Sequence, residues 1–157
     1  MQNIKSPTIQ NLEAAFAGES MAHIKYMWFA RLCRKAGDEE TARVFEETAA
    51  QEMLHAFGHA ELLFAAETMT PEKCLQYAIE GETYEYTEMY PKFRHEAMIE
   101  GRTDAVAEID EQIAESKEHA EMFKSVLEKA AKRFAALAKV EEKHAKHYQA
   151  QKDAISA

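Results

Sequence analysis

From Arg102 to Ala157 the chain contains neither glycine nor proline. A tract of that length without a breaker is helical, either one very long helix or two helices joined without the usual punctuation. The rest of the sequence is sparing in the same way. Five glycines and three prolines serve all 157 residues, while Ala, Glu, Lys and Met are abundant. Such a mixture favours helix and gives strands little to work with. Hydrophobic residues make up 46%, enough for a packed core rather than a disordered acidic tail. The expectation is an all-α protein with a single domain spanning 1–157.

The few breakers divide the chain. Ser6-Pro7-Thr8 opens a first helix over about 8–36, ended by Gly37, and a second follows over about 38–66. Thr70 as N-cap and Pro71 at the first helical position start a third helix, about 71–100. Pro91 should bend that helix and Gly101 closes it. The breaker-free tract is read as helices over about 103–126 and 127–149.

A net charge of −9 argues against nucleic acid or an anionic membrane as partner. Cys33 and Cys74 form no C-x-x-C pair, so neither a zinc ribbon nor a disulfide framework is written here. "MQNIKSPTIQNLEAAF" holds no long apolar run, and the expected compartment is the cytoplasm.

The informative residues are acids on apolar helix faces: Glu19, Glu52, Glu82, Glu85 and Glu141, with His55 and His144. Glu52 and His55 stand three apart, as do Glu141 and His144, so each pair shares one side of a helix. Buried carboxylates converging on one core repel unless bound cations supply positive charge. A lone Glu from each of two helices with Glu-x-x-His from two others is the ligand pattern of dinuclear carboxylate bundles. His59, His95 and His147 lack such partners and read as surface or packing residues, and His23 reads as core packing. The last tract also repeats itself. "AESKEHAEMF" (114–123) superimposes on "KVEEKHAKHY" (139–148), placing His119 on His144 and Ser116 on Glu141.

At these residues the chain resembles the rubrerythrins, ferritin-like di-iron peroxidases. The similarity lies in "NLEAAFAGESMAHIKYMWFA", "QEMLHAFGH" and "AIEGETYEYTEMYP", covering about 8–101, and resumes over 127–149 once 102–126 is set aside. The resemblance implies a ferritin-like four-helix bundle with an additional helical segment. It implies Glu19, Glu52, His55, Glu85, Glu141 and His144 as metal ligands, Glu82 as a further carboxylate that takes part in catalysis, and Tyr26 as a tyrosine behind the ligands. Many rubrerythrins carry a four-cysteine iron domain, which two cysteines cannot build, so electrons would come from a separate rubredoxin-like protein. The fourth-helix ligands have an alternative in Glu115 and His119. Gly101 to His119 spans the same length as Gly37 to His55, and Ser116 then falls on Glu52. The complete Glu-x-x-His motif favours Glu141 and His144.

The implied reaction is reduction of hydrogen peroxide to water at two iron ions, with manganese or zinc as possible substitutes. The rival is a ferroxidase that uses oxygen and handles iron, and a metal-free helical interaction protein is a third reading. The chain is also expected to form a domain-swapped homodimer. Levelling Glu52 with Glu82 inside one bundle needs a return of about 38 Å. A linker from Glu67 to Pro71 spans only about 14 Å.

Overall fold

The computed structural model describes residues 6–155. Residues 1–5, part of the stretch read for a leader segment, and 156–157, the end of the breaker-free tract, lie outside the described residues. Those described are helical with short turns, in the order α1 (Pro7–Lys35), α2 (Glu39–Leu63), α3 (Pro71–Tyr84), a π-helical segment (Glu85–Met89), α4 (Tyr90–Ile99) and α5 (Thr103–Ile155). The all-α expectation holds. No helix among them is long and apolar enough to cross a membrane. They form two compact units, Met1–Thr70 and Pro71–Ala157.

The first unit is a hairpin of α1 and α2. The Ser6 hydroxyl accepts from the Ile9 amide and caps α1, with Pro7 behind it. The chain reverses at Gly37, whose φ of 84° suits a residue without a Cβ. The Asp38 amide donates back to the Cys33 carbonyl at 3.0 Å, and the Asp38 carboxylate then caps α2 through the Thr41 amide. That amide bond holds the Asp38 carboxyl below its ordinary range. Along α2, Ala42, Ala49 and Ala56 recur every seventh residue and are buried, as is Ala30 of α1. Small side chains on this seam let the helices approach closely. His23 uses that proximity: its Nδ1 lies 2.7 Å from the Ala49 carbonyl, which can only accept, so this nitrogen carries the proton.

The second unit folds α3, the π segment and α4 back against the first part of α5. Gly101, at φ 72°, makes the reversal, and the Arg102 amide donates to the Ala97 carbonyl. Here the structure corrects two expectations. The helix foreseen over 71–100 is interrupted at 85–89, where the Tyr90 amide reaches the Glu85 carbonyl five residues back. Pro91 explains it. Proline has no N–H for the Thr87 carbonyl and its ring crowds that oxygen, so a wider turn relieves the clash. The break foreseen near 126–127 is absent, because nothing between Arg102 and Ile155 can stop the helix. The segment that packs against α3 and α4 is therefore the part of α5 that directly follows Gly101, not 127–149.

Neither unit buries a large side chain completely. Ile24, Trp28, Leu54 and Phe57 are each more than half exposed on the first unit, and Tyr77, Tyr84, Phe134 and Tyr148 on the second. A two-helix layer covers one face of each helix and leaves the other open, which falls short of a finished core.

Candidate metal centre

Each unit carries one cluster of chemically competent side chains. In the first, Glu19 of α1 meets Glu52 and His55 of α2, with ligand atoms all within 4.8 Å of one another. The His55 Nδ1 and a Glu52 carboxylate oxygen are 2.9 Å apart. Glu52 is largely covered, with 18% of its side chain exposed, whereas His55 keeps 58%. The arrangement follows from helix geometry. Three residues along α2 bring His55 over Glu52, and the antiparallel α1 supplies Glu19 from across the alanine seam.

In the second unit, Glu82 and Glu85 occupy the end of α3 and the start of the π segment. The buried Ser116 hydroxyl, 4% exposed as a residue, donates to Glu85 at 3.0 Å. The His119 Nδ1 stands 3.4 Å from Glu82. Ser116 and His119 fall at the same distances after Gly101 as Glu52 and His55 do after Gly37. The packing thus brings His119 to the helix-three carboxylates.

His144 and Glu141 lie elsewhere, 3.7 Å from each other, with 57% and 76% of their side chains exposed. A helix rising about 1.5 Å per residue carries them roughly 37 Å beyond His119 and Ser116. Glu115 faces solvent. Tyr26 sits in an aromatic layer, its ring 5.9 Å from Phe45 and 6.4 Å from Phe29. It lies about two turns along α1 from Glu19.

One residue escaped sequence reasoning. Burial, with the negative charges of Glu85, Glu82 and Glu108 behind it, pushes the Tyr90 phenol up from its ordinary value. In an α-helix a residue five after Glu85 points well away from it. The wider π turn brings the two back to one side, and no periodicity count over an α-helix finds that.

The donor sets suit a metal. Carboxylate oxygens with one imidazole are ligands that iron, manganese and zinc all accept. Ligand atoms about 2 Å from a common ion stand up to roughly 4 Å apart, so the Glu19, Glu52 and His55 atoms need only small side-chain movements to close on one. Each cluster alone offers too few ligands to complete two ions.

The sequence model of the family described as Rubrerythrin matches residues 10–127. Nigerythrin of Nitratidesulfovibrio vulgaris is 40% identical over 111 residues, which are 63% of this chain and 55% of that protein. Rubrerythrin of Porphyromonas gingivalis is 36% identical over 134 residues, 78% of this chain and 66% of the relative. The chain therefore spans between half and two thirds of the length of these relatives. A solved structure of nigerythrin in its fully reduced, all-ferrous state superimposes with a TM-score of 0.41 at 32% identity, covering 83% of this chain and 70% of the other.

Proposed function

The chain belongs to the rubrerythrin family, ferritin-like and all-α, and on that premise we propose that it is a di-iron peroxidase, reducing hydrogen peroxide to water with electrons from a separate protein. The observation that carries the reading is the matched pair of clusters: Glu19, Glu52 and His55 on one hairpin, Glu82, Glu85 and His119 on the other. When bound, two ferrous ions supply the two electrons that cleaving the O–O bond of peroxide requires. Glu19, Glu52, Glu82 and Glu85 match the charge of two ferrous ions, which removes their mutual repulsion. His55 and His119 each give one neutral nitrogen. Ser116 orients Glu85 by a hydrogen bond from its hydroxyl. Tyr90, held protonated beside these carboxylates, keeps an O–H to donate toward an oxygen substrate.

We propose further that two copies complete each other's sites by exchanging hairpins. The residues from Leu63 to Pro71 reach at most about 28 Å when extended. The distances from Glu52 to the end of α2 and from the start of α3 to Glu82 sum to about 33 Å, before any sideways step. The linker is also not extended, since the Thr68 amide folds back to the Ala65 carbonyl at 2.9 Å. The helix ends make the shortfall smaller than the sequence boundaries imply, and it persists. The open apolar face of each hairpin is what a second hairpin would cover.

Rapid mixing of the ferrous protein with peroxide and with oxygen tests the activity. Oxidation by peroxide should be faster by at least about tenfold, or roughly 1.4 kcal/mol in barrier. Equal rates would replace the peroxidase with a ferroxidase that handles iron.

A further inference from the structure

The heptad spacing of α5 does not stop where its packing stops. Val106, Ile109, Ile113, Ser116, Ala120, Phe123, Leu127, Ala130, Phe134, Leu137, Glu141, His144, Tyr148 and Gln151 follow one another at alternating steps of three and four. Such a row runs along one side of a helix as a coiled-coil seam. Up to Ala130 its members are at least partly covered, whereas residues 131–154 are exposed throughout. Phe134 is 72% exposed, Leu137 57% and Tyr148 68%. Lys132, Lys139 and Lys146 lie on the opposite side, so this end of α5 is amphipathic and its apolar side is open. The family match ends at residue 127 and leaves this segment without a role.

We propose that residues 127–155 pair with the same segment of a second copy as an antiparallel coiled coil centred between Glu142 and Lys143. The two polar members of the seam, Glu141 and His144, choose both partner and direction. In an antiparallel pair each layer joins one member of the three-four row to the other kind. Centred there, Glu141 meets His144 of the second copy and His144 meets its Glu141, so each imidazole N–H donates to a carboxylate. Leu137 then meets Tyr148, twice over. On the flanks Ala138 faces Ala145 and Val140 faces His147, with no like charges opposed.

A parallel pair in register sets Glu141 against Glu141 and His144 against His144, which like charge and unmatched donors disfavour. Within one chain Glu141 and His144 are 3.7 Å apart, too far for a good hydrogen bond, so their bonding capacity is open to a partner. Single polar residues within a seam fix register and orientation in this manner. The small Ala131, Ala138 and Ala145 beside the seam permit close approach of the two helices.

Distances between spin labels on the full-length chain, with Cys33→Ala and Cys74→Ala as background, test this. Labels at Glu142→Cys in two copies should lie within about 20 Å, given helix axes 8–10 Å apart. Labels at Glu128→Cys should lie about 43 Å apart, from 1.5 Å rise per residue. Glu141→His alone or His144→Glu alone should lower the short-distance population about tenfold, and the double exchange should restore it. Short distances at both label sites would mean a parallel pair. A missing short distance at 142 would mean that the segment stands alone or binds something else. Indifference to the single exchanges would mean that the seam is misplaced. Any of the three overturns the proposal.

Discussion

The α1–α2 hairpin and the hairpin of α3, α4 and α5 share a backbone device and differ in what they mount on it. Both reverse at a glycine of positive φ, both send an amide back across the turn, and both place site residues at equal distances beyond it. The first mounts Glu52 and His55, with Glu19 opposite. The second mounts Ser116 and His119, with Glu82 and Glu85 opposite. The turn geometry fixes where a ligand can stand, and the side chain decides what stands there. In the second hairpin one acid is exchanged for a hydroxyl, and two acids on the facing side take up its neighbourhood.

The most severe way to break the comparison is to remove the acid that only the first hairpin has. Glu52→Ala should weaken iron or cobalt binding by at least about 100-fold, whereas Ser116→Ala, which loses only an orienting bond, should weaken it by no more than about tenfold. Titration of the apoprotein followed optically checks both, and similar losses would remove the distinction between a ligand and its support. Next, Glu52→Ala chains mixed with Glu85→Ala chains, unfolded and refolded together, should recover metal in about a quarter of all sites if hairpins are exchanged randomly between copies. Mixtures that bind no more metal than the separate variants would argue for sites built within one chain.

Making the hairpins alike should have a smaller effect. Ser116→Glu puts a second acid at a buried position beside Glu85, which should cost the metal-free protein about 2–3 kcal/mol at neutral pH. The new carboxyl's folded pKa is raised above its unfolded value near 4.3, so the native state binds the extra proton. Stability is then intact below pH 4 and falls as pH rises through that interval. Denaturant melts of the apoprotein at pH 4 and pH 7, repeated with metal, test this; a loss that metal does not reverse would count against a ligand position at 116. The mildest test concerns the shared device. Gly37→Ala and Gly101→Ala should each cost about 1 kcal/mol, because each forces a Cβ into the left-handed region. Open space around both positions leaves no second penalty, so unequal melts would show that the turns are not equivalent.

The sequence made the helices and most of their ends readable, because Pro7, Gly37, Pro71 and Gly101 act locally. Glu19, Glu52 and His55 were readable for a related reason: two lie three apart on one helix and the third sits opposite, at a distance set by the turn. The choice between His119 and His144 was not. Both repeats look alike over a few residues, and motif completeness favours the second. What decides their placement is the turn at Gly101, which sends the very next turns of helix back along α4 and α3. The π segment stayed hidden because Pro91 announces a disturbance without saying whether the helix will bend or widen. Tyr90 stayed hidden with it.

That widened turn sets the phase of everything after it. An α-helix advances about 100° per residue. Between Glu85 and Met89 the chain carries a residue more than a regular helix would use for the same rise. Lose any single residue there and the helix could close up into a regular one. Glu82, upstream, would be undisturbed, yet Phe93, Ala97 and the Gly101 reversal would all swing by about 100°. The antiparallel return of α5 would be aimed elsewhere, and His119 would leave the carboxylates without a change to any side chain that touches them. In this protein the tolerance of a helix to insertion and deletion is thus lowest not at its ligands but just after them.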